Sequence, residues 1–172
     1  DIMFKRLLFI TIPFLLFSCT SNVDDVEIKK ANQFFESIFQ DRVLDSPEFQ
    51  ASLGYKSNYD KWDDLTWQNS RRKAKQAIDD LSYLRDNIKF DKLNESTKIS
   101  YLLMEKRLQR TIDSDKFIFH GYMITHRGGK HSSIPSFLIN YHKIDEEQDV
   151  KDYIGRLRNI EPLMNDLIEQ LK

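Results

Sequence analysis

The stretch FHGYMITHRGGKHSSIPSFLINYH, residues 119–142, decides how the rest of the chain is read. It holds all four histidines, three of the five glycines (Gly121, Gly128, Gly129) and one of the four prolines, Pro135. On either side of it, apolar residues recur at intervals of three and four, the spacing of one helical face. Inside it, that spacing breaks. Tyr122-Met123-Ile124-Thr125 is β-prone and partly alternating, and Gly128-Gly129 reads as a turn between two extended pieces, which together would give a lone hairpin. Phe137 to Tyr141 is either the return strand or a short helix begun at Ser133 or Ser136; we take the helix.

Upstream, Ile28, Ala31, Phe35, Ile38, Phe39 and Val43 put one apolar face on a helix from about Val26 to Val43. Asp24 and Asp25 stand where a cap and the positive end of the helix dipole favour acids. Ser46-Pro47 is a helix start, and Gly54 can supply the left-handed residue that ends that short helix. Lys56 to Leu65 reads as a loop packed down by Tyr55, Tyr59 and Trp62. Thr66 caps a long helix to about Ile88 with an inner stripe of Trp67, Ala74, Ile78, Leu81, Leu84 and Ile88. Arg71, Arg72, Lys73, Lys75, Asp79 and Asp80 belong to its wet face. Asn94 caps another helix to about Asp113, with Ile99, Leu102, Leu103, Met104 and Leu108 as its apolar residues. The short link Lys89–Leu93 makes the two an antiparallel pair.

Downstream, Asp145 with Gln148 matches a capping box. Val150, Tyr153, Ile154, Leu157, Ile160, Met164, Leu167 and Leu171 then keep one stripe, with a kink or fresh start expected near Asn159–Glu161 because of Pro162. That periodicity is still running at Lys172, and the chain reads as the N-terminal part of a longer protein. The fold class expected is mainly α: an antiparallel helical array with one extended, glycine-containing segment at about 119–142, or a short β-hairpin within it.

Composition narrows the function. The chain is 40% hydrophobic and 31% charged, enough apolar material for a core. Its 26 basic and 27 acidic residues are interspersed, and without a basic stripe nucleic acid is not an expected partner. The single cysteine, Cys19, permits no intramolecular disulfide. It follows Lys5, Arg6 and an apolar run from Leu7 to Phe17, which as a helix spans about 16 Å, roughly half a bilayer core. That length suits a secretory signal rather than a membrane span. The run ends Leu16-Phe17-Ser18-Cys19, similar to the lipobox of bacterial lipoproteins. Residues 1–18 are therefore expected to be a signal peptide, Cys19 a lipidated N-terminus, 19–25 a tether and 26–172 the helical part. Thr20 after the cysteine favours the outer membrane in a diderm host.

Catalytic motifs are sparse. The spacings of His120, His126, His131 and His142 give no H-E-x-x-H pair and no zinc knuckle. They read as neutral or surface histidines, with zinc through some of them as the alternative, and no metal ligand is assigned. There is no nucleophile elbow, and Gly128-Gly129 lacks the strand-to-helix setting of a phosphate cradle.

Ala31-Asn32-Gln33-Phe34-Phe35, Ser46-Pro47-Glu48-Phe49 with Leu53-Gly54, and the long helical pair are points of likeness to a known family. Stronger ones are Tyr122-Met123 through Gly128-Gly129, Pro135-Ser136-Phe137-Leu138, His142-Lys143-Ile144 and Asp152-Tyr153-Ile154-Gly155-Arg156-Leu157. In their order and spacing the chain resembles the bacterial family catalogued as domain of unknown function 885, from about Asn32 to Leu171. Members of that family look like helical zinc peptidases of the gluzincin type. The resemblance implies a cleft wall here, with the catalytic zinc, its ligands and the general base downstream, so no catalytic residue is expected in this chain. It also implies a peptide substrate, while the lipobox-like end at Cys19 implies membrane attachment through an N-terminal lipid. Tyr122, His126, Gly128, Gly129 and His131 are the candidates for lining the substrate cleft. The rival expectation is a non-catalytic helical envelope lipoprotein that binds a partner or ligand.

Overall fold

The structure is a computed structural model that describes residues 23–171; residues 1–22, with Cys19 and the signal segment, lie outside the described residues. Local capping chemistry sets where the first helices begin. Asp24 is extended and its carboxylate accepts the Val26 N–H at 2.9 Å, opening α1 (Asp25–Leu44). Ser46 accepts the Phe49 N–H at 3.0 Å to open α2 (Pro47–Ser52), where Pro47 gives up an N–H that had no helical partner in any case. Gly54, at φ +86°, turns the chain out of that helix through the left-handed region. Thr66 opens α3 (Trp67–Asn87) by accepting the Asn69 N–H at 3.2 Å. Asn94 opens α4 (Glu95–Asp115) by accepting the Thr97 N–H at 2.8 Å. A single 3-10 turn, Phe90–Lys92, joins these last two.

The pair α3 and α4 folds back on itself, with α1 packed against it. Ala31 and Ile38 of α1, Ala77, Leu81 and Leu84 of α3, Tyr101 and Leu108 of α4, and Ile88 and Leu93 of the link form one core. Phe34 stacks on Tyr83 across the α1–α3 seam, with ring centroids 4.8 Å apart. Each fully buried leucine, such as Leu84 and Leu93, contributes roughly 1.5–3 kcal/mol. Two stripes differ from expectation. On α3, Ala77 rather than Ile78 faces inward, and Ile78 is exposed. On α4, Ile99, Leu102 and Leu103 face outward, while Thr97, Tyr101 and Leu108 face in. Small residues let α3 approach its neighbours closely, and the Tyr101 ring meets Phe90 edge-on at 5.2 Å, so the neighbouring elements select the face.

A second packing centre forms around Trp62. Tyr59 and Trp62 hold down the loop after Gly54, while Tyr55 stays exposed. Helix α5 (Lys130–Asn140) contributes Ile134, Phe137 and Leu138, and α7 (Ile160–Gln170) contributes Leu163. Phe137–Tyr141 is therefore not a return strand, and its helix begins several residues before the serines expected to start it. Helix α6 (Glu147–Arg158) gives way to α7 at Asn159, and Pro162 falls in the first turn of the new helix. The cap of α6 is Glu146, not Asp145: the Asp149 carboxylate accepts the Glu146 N–H at 3.0 Å. Asp145 is an ion partner of Lys56, at 3.0 Å.

Of the stripe expected on α6, only Tyr153 packs inward, against the cluster of Ile134, Leu138 and Leu163. Val150, Ile154 and Leu157 are exposed, and Asp149 and Arg156 are buried. No helix among the described residues is long and apolar enough to cross a membrane.

Candidate functional site

The histidine-rich stretch does fold as a hairpin, but its glycines have a different place in it. Strand β1 (Ile124–Thr125) pairs antiparallel with β2 (Gly128–Gly129), Ile124 opposite Gly129 and Thr125 opposite Gly128. His126 and Arg127 are the turn, and the glycine pair is the returning strand. The reason is steric. Gly129 has φ +149°, and a Cβ there would stand 2.8 Å from the Met123 carbonyl oxygen and 3.0 Å from the Ile124 Cα. Only glycine lets the strands close and swing at once into α5. The Thr125 hydroxyl donates to the Gly128 carbonyl at 3.1 Å and accepts the Arg127 N–H at 3.2 Å. Lys130, first in α5, forms an ion pair with Glu48 of α2 and lies 5.8 Å from the Trp62 ring centroid, which ties the hairpin to the body.

His126, Gly128, Gly129 and His131 thus meet in one hairpin–helix junction, and Tyr122 lies on its approach. Tyr122 is 85% exposed, His126 and His131 are exposed, and the two glycines are half-buried. His120 sits outside the hairpin against the Phe117 ring, at 5.4 Å. His142 is separated from the other three and buried.

His142 belongs to a polar node centred on Arg156, a residue of the Asp152-to-Leu157 motif for which no site role was expected. The Arg156 side chain is fully buried. Its Nε donates to the Lys61 carbonyl at 3.0 Å, one terminal nitrogen donates to His142 Nδ1 at 3.1 Å and the other to the Pro47 carbonyl at 3.3 Å. The rings of Phe137, Tyr59 and Trp62 stand 4.7, 5.0 and 5.5 Å from its guanidinium carbon. Burial pulls the guanidinium below its ordinary range, against the fields of Tyr59, Glu48, Asp60 and Asp63. Because Arg156 donates to Nδ1, Nε2 of His142 carries the proton and donates to the Asp149 carbonyl at 3.0 Å. The imidazole is held neutral: burial pushes its pKa down and Arg156 adds to that.

The Asp149 carboxylate takes the Lys56 ammonium at 2.7 Å and the Asp145 N–H at 2.8 Å, and it is held below the usual carboxylate range chiefly by Lys56. Trp62 donates its indole N–H to the Arg156 carbonyl at 2.9 Å, and Gly155 lets α6 lie against Asp60. Polar residues face inward on α6 because loop carbonyls at Pro47 and Lys61 need donors that leucine lacks. A node with every nitrogen occupied fixes loops; it has no open position for a reacting group.

A cleft of about 690 Å³ opens elsewhere, between α1, α3 and α4 beside the start of α2. It is lined by Asp41, Arg42, Asp80 and Arg107 over Ile38, Ala77 and Leu108, and none of the expected cleft residues borders it.

For zinc, the residues present do not fit. Both ring nitrogens of His142 are engaged, and no group of three or more His, Cys, Asp or Glu among the described residues is placed to hold a metal.

The family model described as "Bacterial protein of unknown function (DUF885)" matches residues 47–172. No curated protein and no solved structure matches the chain.

Proposed function

The chain belongs to the DUF885 family of bacterial proteins of unknown function, and from that membership we propose that it is the N-terminal portion of a lipid-anchored, exported, zinc metallopeptidase-like hydrolase acting on peptides. On this reading the zinc, its ligands and the general base lie outside these residues, and none of the chemistry runs through the side chains described here. Cys19 carries the lipid, on the outer membrane if the host is diderm. The contribution of this chain is surface along the substrate.

The observation that carries the reading is the hairpin. Its sheet has only two strands, so each strand is an edge to which an extended peptide can add. Tyr122, His126 and His131 stand exposed around it, while Gly129 and the Lys130–Glu48 pair fix its position on the helical body. Two apolar helix faces, Ile99-Leu102-Leu103 on α4 and Val150-Ile154-Leu157 on α6, are also open to solvent, as suits one part of a larger body.

The test is His126→Ala and His131→Ala in the full-length protein, with peptide hydrolysis and melting temperature measured side by side. A lost substrate contact lowers catalytic efficiency roughly 5- to 150-fold at unchanged melting temperature. Unchanged efficiency in both variants removes these histidines from the site. A full-length protein that hydrolyses no peptide with zinc supplied removes the hydrolase reading.

A further inference from the structure

His142 stands in the turn between α5 and α6, and its ring has no place for a second proton. Nδ1 accepts from Arg156 at 3.1 Å, and Nε2 donates to the Asp149 carbonyl at 3.0 Å. A guanidinium has only donors, so a proton on Nδ1 sets two N–H groups and two positive charges face to face. The other Arg156 bonds go to the neutral Lys61 and Pro47 carbonyls. Among the described residues, no carboxylate is bonded to the guanidinium or to the imidazole.

The groups around the ring cannot absorb that charge. From the loop after Gly54, Tyr59 stacks on the ring with centroids 4.1 Å apart, and the Lys56 ammonium stands 5.8 Å from the Tyr59 ring. From α6, Tyr153 meets the imidazole edge-on at 5.2 Å. Burial opposes the charged ring and Arg156 adds to that, against the fields of Asp149 and Asp152. Neither acid is free to close on it. The Asp149 carboxylate holds Lys56 at 2.7 Å and the N–H groups of Asp145 and Glu146 at 2.8 and 3.0 Å. Asp152 accepts the Gln148 amide at 3.0 Å. On the turn itself, Lys143 and Asp145 are exposed, and Asp145 is paired with Lys56 at 3.0 Å.

An imidazolium must therefore leave the node, and its two sides are held unequally. Arg156 is fully buried among three aromatic rings. The turn at residues 141–146 keeps Tyr141 and Ile144 in water. Besides Asp149, its tie to the body is the Tyr59 hydroxyl, which accepts the Lys143 N–H at 2.7 Å and lies 3.2 Å from the Tyr141 and Lys143 carbonyls. The core of α1, α3 and α4 takes no side chain from this turn, so its loss is local.

From this geometry we propose that His142 is a proton-operated latch between α5 and α6: protonation swings the ring out of the node and opens residues 141–146 while the α1–α3–α4 core stays folded. The open turn carries an ordinary imidazole. Opening therefore begins as pH falls below 6.5 and grows about tenfold per pH unit until the closed ring itself titrates. Helix α5, which bears the hairpin at its other end, is then held there by the Lys130–Glu48 pair. The latch is independent of the hydrolase reading, because it is read from the backbone and not from activity.

The test is amide hydrogen exchange on the full chain, resolved by residue and corrected for intrinsic rates, at about pH 7.5 and about pH 5.5, either side of the ordinary imidazole value. The Lys143, Asp145 and Glu146 amides should lose about tenfold in protection, while those of Leu81, Leu84 and Leu108 keep theirs. His142→Gln retains an acceptor for Arg156 and a donor for Asp149 without titrating, and should show no such loss. Nitrogen chemical shifts of the wild-type His142 ring form a second arm that stands even where the variant fails to fold: the ring must gain its proton as the turn amides are exposed. Unchanged turn amides, an equal loss across the core, the same loss in His142→Gln, or a turn that opens while the ring stays neutral would each overturn the proposal.

Discussion

The Arg156 node and the Gly128–Gly129 hairpin are built from motifs of the same family resemblance, yet they are opposite kinds of structure. In the node, a guanidinium out of contact with water meets two carbonyls, an imidazole nitrogen and three aromatic rings. In the hairpin, a turn with exposed His126 joins two-residue strands, and Tyr122 on the approach is 85% exposed. A buried polar group with every partner in place holds a structure together, because removing any partner leaves the others unpaired in a low-dielectric interior. Polar groups held in position but left in water are available to something else. Resemblance at the level of motifs does not separate these two roles; burial does.

The largest expected effect tests that contrast directly. Arg156→Leu leaves His142 Nδ1 and the Lys61 and Pro47 carbonyls without their donor. It should cost about 3–5 kcal/mol, a melting-temperature drop on the order of 10 °C. His126→Ala, in water at the hairpin turn, should stay within about 0.5 kcal/mol. Urea titration of both variants decides it, and similar midpoints would dissolve the distinction.

The glycines sharpen the comparison within each region. Gly129→Ala should destabilise by about 1–3 kcal/mol, since φ +149° and the Met123 oxygen 2.8 Å from the new Cβ both oppose it. Gly128→Ala, with nothing within 4 Å of the new Cβ, should be neutral within about 0.5 kcal/mol. In the node, Gly155→Ala brings a Cβ to 2.9 Å from the Asp60 Cβ. Overpacking of about 1–3 kcal/mol is partly offset by roughly 1 kcal/mol of better helix propensity, leaving a modest net loss. Thermal melts of the three variants would rank them Gly129, Gly155, Gly128; a Gly128 variant as damaged as Gly129 would show that the hairpin is not open as described.

The smallest effect is in pH. The folded protein holds the His142 pKa below 6.5, so folded and unfolded chains are both neutral there at higher pH. Below that value the unfolded chain takes the proton first, and stability falls with falling pH until the folded imidazole also titrates. Asp149 works in a lower window: its stabilisation is present above the ordinary carboxylate value of 3.8 and is lost as pH drops through its depressed folded value. His142→Gln can reproduce one donor and one acceptor without titrating, so its melting temperature should vary less between neutral and mildly acid pH. An identical slope in both proteins would show that the imidazole is not the group responsible.

Much of the helical layout was legible in the residues. The caps at Asp24, Ser46, Thr66 and Asn94, the stop at Gly54 and the break before Pro162 each depend on groups within a few residues of one another. Side-chain-to-backbone bonds of that range form the same way in almost any context. The antiparallel pair was the simplest packing for two long helices joined by a short link, and membership of the family followed from motifs in order.

Only the tertiary structure decided which side of α6 is buried, that Ala77 rather than Ile78 faces the core, that the turn is His126–Arg127, and that His142 and Arg156 meet. Apolar spacing gives a period but no sign. The sign on α6 is set by the Lys61 carbonyl, 95 residues away in sequence, which needs a donor that only the polar side of the helix can supply.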